Sequence, residues 1–144
     1  LSSIPDNSAQ PPTILIVDDE TEILRLTETI LTGLGYDVIL SKGAQSAINT
    51  FGRMNRKPDL VLTDVVMPGM SGPMLVDHLL ALSPSLRVLF MSGYDERQVV
   101  QKYVVEKGFS LIPKPFTPQR LANAVKAALT APLAGTPGTG LPRN

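Results

Sequence analysis

The chain contains no cysteine and no tryptophan, and His78 is its single histidine. Without cysteine there is no disulfide framework, no thiolate zinc site and no cysteine nucleophile. The absence fits a reducing cytosol, so a cytoplasmic location is expected. One histidine excludes a multi-histidine metal site built by one chain. Set beside Asp77, Leu79 and Leu80, it reads as a surface or boundary residue. Charge of one sign is not in excess either: 13 basic residues face 13 acidic ones. A globally basic nucleic-acid binder is therefore not expected. No run of about 18 apolar residues occurs, which excludes a membrane-spanning helix, and no membrane contact is expected. No charged-then-apolar leader opens the chain. It begins with Leu1 rather than Met, which suggests a fragment of something longer.

Apolar types make up 43% of the 144 residues, enough for one domain with a buried core. Prolines punctuate the two ends, at Pro5, Pro11 and Pro12 and again at Pro132, Pro137 and Pro142. Residues 1–12 read as a linker or vector remnant, 13–130 as the folded unit, and 131–144 as a flexible Pro/Gly-rich tail. Within that unit short apolar runs recur: Ile14–Val17, Val38–Leu40, Leu60–Leu62, Val88–Met91 and Leu111–Ile112. Unbroken apolar character is what strands covered on both faces require.

Between the runs lie helical periodicities. Ile23, Leu26, Ile30 and Leu34 form the first stripe, and Ala44, Ala47, Ile48 and Phe51 the second. Leu75, Leu79 and Leu82 mark the third, and Val99 or Val100 with Tyr103 and Val104 the fourth. Leu121, Val125, Ala128 and Leu129 mark the fifth, opened by Thr117 as N-cap and Pro118 as first helical residue. Five strands alternating with five helices predict an α/β fold. It is a flavodoxin-like (βα)5 three-layer sandwich on a five-stranded parallel sheet, order 2-1-3-4-5.

In such sheets the site lies beyond the carboxyl ends of the strands. There the first run ends in Asp18-Asp19-Glu20, the third reaches Asp64, the fourth Ser92 and the fifth Lys114. Carboxylates gathered at one rim repel each other unless a cation joins them. A hard divalent ion fits, and Mg²⁺ fits best because it keeps waters and accepts phosphate oxygens. Lys114 adds a point charge suited to phosphate and Ser92 a hydroxyl. Together these groups predict phosphoryl transfer onto an aspartate. Taken singly, Asp18 and Asp19 would serve equally as caps of the first helix.

The segments ILIVDDE, LVLTDVVMPGMSG, VLFMSGYDE and IPKPFTPQRL, in that order and spacing, resemble the response-regulator receiver domain of two-component signalling. The resemblance implies Asp64 as phosphoacceptor and Asp18 and Asp19 as the acidic Mg²⁺ pair. Asp64 and the Val66 carbonyl would complete the metal ligands, and Ser92 and Lys114 would hold the phosphoryl oxygens. Lys114-Pro115 resembles the family's cis peptide, which turns the lysine inward. A histidine kinase or histidine phosphotransfer domain is implied as donor, with the fourth helix, fifth strand and fifth helix as output surface. The wording SGY and KPFTP is closest to receivers at the C-terminus of hybrid sensor histidine kinases.

Two positions depart from the family pattern. Leu111 stands three residues before Lys114, where receivers usually carry an aromatic. Val66 and Tyr94 flank the acceptor where receivers often carry polar groups that position water, so slow self-dephosphorylation is expected. Two other classes remain to be weighed. One is a phosphorylation-independent interaction module, against which the intact Asp18, Asp19, Asp64, Ser92 and Lys114 speak. The other is an aspartate-nucleophile phosphohydrolase, which would place an Asp-x-Asp on the first strand and turn over repeatedly. Neither a P-loop nor a G-x-G-x-x-G follows the first strand, so nucleotide binding is not expected.

Overall fold

The computed structural model describes residues 10–93 and 97–131, with the side chains of 97–99 left aside. Most of the expected linker (1–12) and tail (131–144), together with Tyr94, lies outside the described residues, as does the side chain of Val99. The elements are β1 (Thr13–Val17), α1 (Thr21–Gly33), β2 (Asp37–Ser41), α2 (Ala44–Arg53), β3 (Leu60–Asp64), α3 (Gly72–Leu82), β4 (Val88–Ser92), α4 (Arg97–Lys107), β5 (Ser110–Pro113) and α5 (Pro118–Thr130). The strands form one sheet in the order β2-β1-β3-β4-β5, and every neighbouring pair is parallel.

Each strand divides its side chains between two cores because successive residues point to opposite faces. Ile14, Ile16, Leu60, Leu62, Leu89 and Met91 meet Leu24 and Leu31 of α1 and Leu121, Val125 and Ala128 of α5. Leu15, Val17, Val61, Val88 and Phe90 meet α2, α3 and α4 through Ala47, Phe51, Leu75, Val76, Leu79, Val100 and Val104. β3 and β4 are buried at every position. That two-sided cover explains their unbroken apolar runs. The edge strand β2 is half-exposed along most of its length.

Two expected stripes are corrected by the structure. Leu26 and Leu34 of the first stripe are 47% and 52% exposed; α1 instead buries Leu24, Thr27 and Leu31. Thr27 tolerates burial because its hydroxyl donates to the Ile23 carbonyl one turn back, at 2.6 Å. Leu82 of the third stripe is 55% exposed, standing at the last residue of α3. The other helices bury the expected faces, and Thr117 caps α5 by accepting from the Arg120 N–H at 3.1 Å.

Candidate functional site

The sheet's registers assemble the site. Val17 pairs with Thr63, so the next residues, Asp18 and Asp64, emerge side by side at the carboxyl edge. Ser92 pairs with Pro113, which places Lys114 just beyond the neighbouring strand end. The Lys114 N–H donates to the Ser92 carbonyl at 2.8 Å, and the Lys114–Pro115 peptide is cis, as expected.

Lys114 is the hub. Its Nζ lies 3.1 Å from Asp18 Oδ2 and 3.1 Å from Asp64 Oδ1, with Glu20 Oε1 at 3.8 Å. Burial alone would lower the lysine's pKa, but the Asp64 and Asp18 carboxylates outweigh it and hold the group above its ordinary value. The ammonium is therefore charged at neutral pH. Asp18 is fully buried, and its Oδ1 accepts the Glu20 N–H at 2.9 Å, which fixes the entry to α1. Asp64 is nearly as buried. Its Oδ1 accepts both Lys114 Nζ and the Val65 N–H, the latter at 2.9 Å, so the carboxylate's orientation is set from two sides.

Asp18, Asp19 and Asp64 each offer an oxygen within 4.8 Å of the others. Three carboxylates against one lysine leave local negative charge, and all the donors are hard oxygens. The set fits a hard divalent cation. An open depression of about 290 Å³ lies over these groups, lined by Asp19, Glu20, Asp64, Val66, Gly93 and Lys114. Val66 is 53% exposed there.

Of the residues singled out in the sequence, Asp18, Asp19, Asp64 and Lys114 are brought together, and Val66 borders the same depression. Ser92 is not on that surface. It is fully buried, and its hydroxyl has no hydrogen-bond partner among the described residues. His78 is exposed on α3 and does not line the depression.

Gly72 is tightly packed behind the site, which the sequence alone did not reveal. A Cβ there would run into the Asp64 carbonyl oxygen and come within 3.1 Å of Val65 Cα, and the Gly72 N–H donates to the Val65 carbonyl at 2.7 Å. The start of α3 is thus pressed against the backbone that carries Asp64. In the loop before α3, Gly69, with φ +87°, looks the same in sequence but has open space around it. Gly72→Ala is expected to cost about 1–3 kcal/mol of stability, read as a lower urea midpoint, whereas alanine at Gly69 meets no neighbour and is strained only by the left-handed backbone.

Residues 14–126 match the response regulator receiver domain family. The chain belongs to that family. As a receiver it is 32% identical over 117 residues to the sensor kinase CckA of Brucella abortus, a match covering 81% of this chain and 12% of the kinase. It is 29% identical over 116 residues to the sporulation initiation phosphotransferase F of Bacillus subtilis, covering 81% of this chain and 92% of that protein. The receiver thus spans a small part of some curated relatives and nearly all of others. Among solved structures, the CheY-like receiver domain protein of Methanospirillum hungatei is 31% identical with a TM-score of 0.71, covering 83% of this chain and 94% of that one. A receiver domain from Clostridium thermocellum is 26% identical with a TM-score of 0.76, covering 82% and 94%.

The parallel sheet in the order 2-1-3-4-5 is the fold of these relatives. The chain is thus a response-regulator receiver domain of two-component signalling. No helix among the described residues is long and apolar enough to cross a membrane.

Proposed function

We propose that Asp64 accepts a phosphoryl group from a phosphohistidine of a histidine kinase or histidine phosphotransfer domain. Residues 13–130 form the receiver unit that does so. The supporting observation is the lysine bridge, which holds a nearly buried carboxylate in one orientation at the floor of an open depression. A carboxylate oxygen of Asp64 attacks phosphorus, the P–N bond to the donor imidazole breaks, and its electron pair leaves with the imidazole. Lys114, already charged and adjacent, offsets the charge gathering on the phosphoryl oxygens. The Ser92 hydroxyl, buried beneath the depression and unpartnered among the described residues, is the further donor that would have to turn toward them.

Asp18, Asp19 and Asp64, with the Val66 carbonyl, would hold Mg²⁺. When bound, that ion supplies charge neutralisation at the phosphoryl oxygens. The outcome is a shift in a protein-binding surface on α4, β5 and α5, in a cytoplasmic setting, whether the receiver belongs to a hybrid histidine kinase or to a stand-alone regulator. The test is intact mass after acetyl phosphate and Mg²⁺: one phosphoryl adduct supports the reading, and none removes it.

Val66 makes a second expectation concrete. Its half-exposed isopropyl group borders the depression and offers an attacking water no hydrogen bond. Val66→Asn is expected to shorten the phosphorylated lifetime about tenfold, followed as loss of the adduct with time. A wild-type lifetime of seconds in Mg²⁺ would contradict this account of Val66.

A further inference from the structure

Few of the described side chains of helix α4 are buried. Among its described side chains Val100 and Val104 are buried, and Tyr103, half-buried, closes the seam toward α3. The Tyr103 ring meets Phe90 of β4 edge-on with centroids 5.9 Å apart, and lies 6.4 Å from Phe109. Its hydroxyl donates to Asp77 Oδ1 on α3 at 2.7 Å. Burial first, then the bond to Asp77 and its charge, hold this phenol well above its ordinary pKa, so it remains a donor across the physiological range. Leu111 pairs with Phe90 across the strands. Two rings therefore cover Phe90 from outside the sheet, Phe109 at 6.3 Å and Tyr103 of α4, and the Tyr103 hydroxyl is tied to one acidic partner on another helix.

We propose that the Asp77–Tyr103 hydrogen bond is a latch that holds α4 on α3, and that its strength sets the balance between docked and released α4. With two buried anchors among its described side chains, α4 falls at the low-stability end of the fold, where one bond moves the balance. The link to signalling rests on the reading of Asp64 given above. β4 runs from Phe90, beneath the Tyr103 ring, to Ser92 and on to Gly93 at the depression, so loading the site and opening the latch act on one strand. Where loading favours release of α4, linkage makes release favour loading by the same factor.

Amide hydrogen exchange of the full chain tests both halves, with beryllofluoride and Mg²⁺ as the probe of the loaded site. Tyr103→Phe keeps the ring and removes only the hydroxyl. It is expected to speed exchange in α4 about fivefold, with α1 and α5 unchanged. Asp77→Ala, which removes the acceptor, should do the same, and the double variant no more than either single one. Unchanged α4 exchange in the single variants, or additive effects in the double, overturns the latch.

In the wild type, beryllofluoride is expected to protect the segment around Asp64 and to speed exchange in α4, with a smaller further change in Tyr103→Phe. Protection around Asp64 with α4 unmoved overturns the link to signalling. Absence of protection around Asp64 overturns the acceptor reading and the link with it, and the variants alone then decide the latch.

Discussion

Asp64→Asn is expected to take up no phosphoryl group from acetyl phosphate, a fall in rate of at least about a thousandfold. The amide lacks the anionic oxygen that attacks phosphorus, yet it has nearly the same shape. Its carbonyl oxygen still accepts the Val65 N–H, and Lys114 keeps its partner at Asp18. The variant should therefore fold, with a circular dichroism spectrum like the wild type. No neighbour substitutes readily. Asp18 is fully buried, with one oxygen on the Glu20 N–H and the other on Lys114. Asp19 is exposed, so an adduct that persists in Asp64→Asn and maps to Asp19 would move the acceptor by one strand.

Lys114→Met should have the largest effect on stability, and the effect should depend on magnesium. The lysine bridges two carboxylates that have almost no contact with water. Removing one partner of a buried pair leaves uncompensated charge, at a cost of about 3–5 kcal/mol. In EDTA the urea midpoint should fall accordingly. Magnesium should recover much of the loss, because binding to the folded state alone stabilises it and the three aspartates offer the ion a site. The wild type, which already carries a cation in Lys114, should gain less. Equal midpoints for the two proteins in EDTA would show that the bridge contributes nothing. Phosphoryl uptake by Lys114→Met should persist at a reduced rate, since Asp64 remains.

Much of this architecture is legible in the residues themselves. The apolar runs located all five strands to within a residue or two, because strands buried on both faces permit little else. The residues following those runs then had to gather at one edge. Phase within a helix was harder to read. α1 and its C-cap carry Ile or Leu at 23, 24, 26, 30, 31 and 34, more than one face can bury. The buried line passes through Thr27, whose hydroxyl is satisfied inside the helix, so a polar letter concealed the correct stripe. Leu82 was misplaced for a different reason: a periodicity carries no signal for where a helix runs out of neighbours.

At the site, residue types and strand ends were readable, whereas depth was not. Nothing in the pattern distinguishes a Ser92 at the surface from one sealed beneath it. Gly72, pressed on the Asp64 backbone, and Gly69, in open space, are equally plain glycines until coordinates separate them. The tie between Asp77 and Tyr103 joins residues 26 apart on different helices, a distance that no local rule spans.

The pairing of Val17 with Thr63 has a bearing on how faulty copies are handled. Shifting β3 by one residue against β1 would carry Leu60 and Leu62 into the opposite core and Val61 the other way. The same slip would pull Asp64 away from Asp18. A misaligned chain thus forfeits its interior and its chemistry in one stroke. Proofreading of the fold, by proteolysis or by failure to collapse, is at the same time inspection of the acceptor, and no well-packed but chemically blind isomer should accumulate.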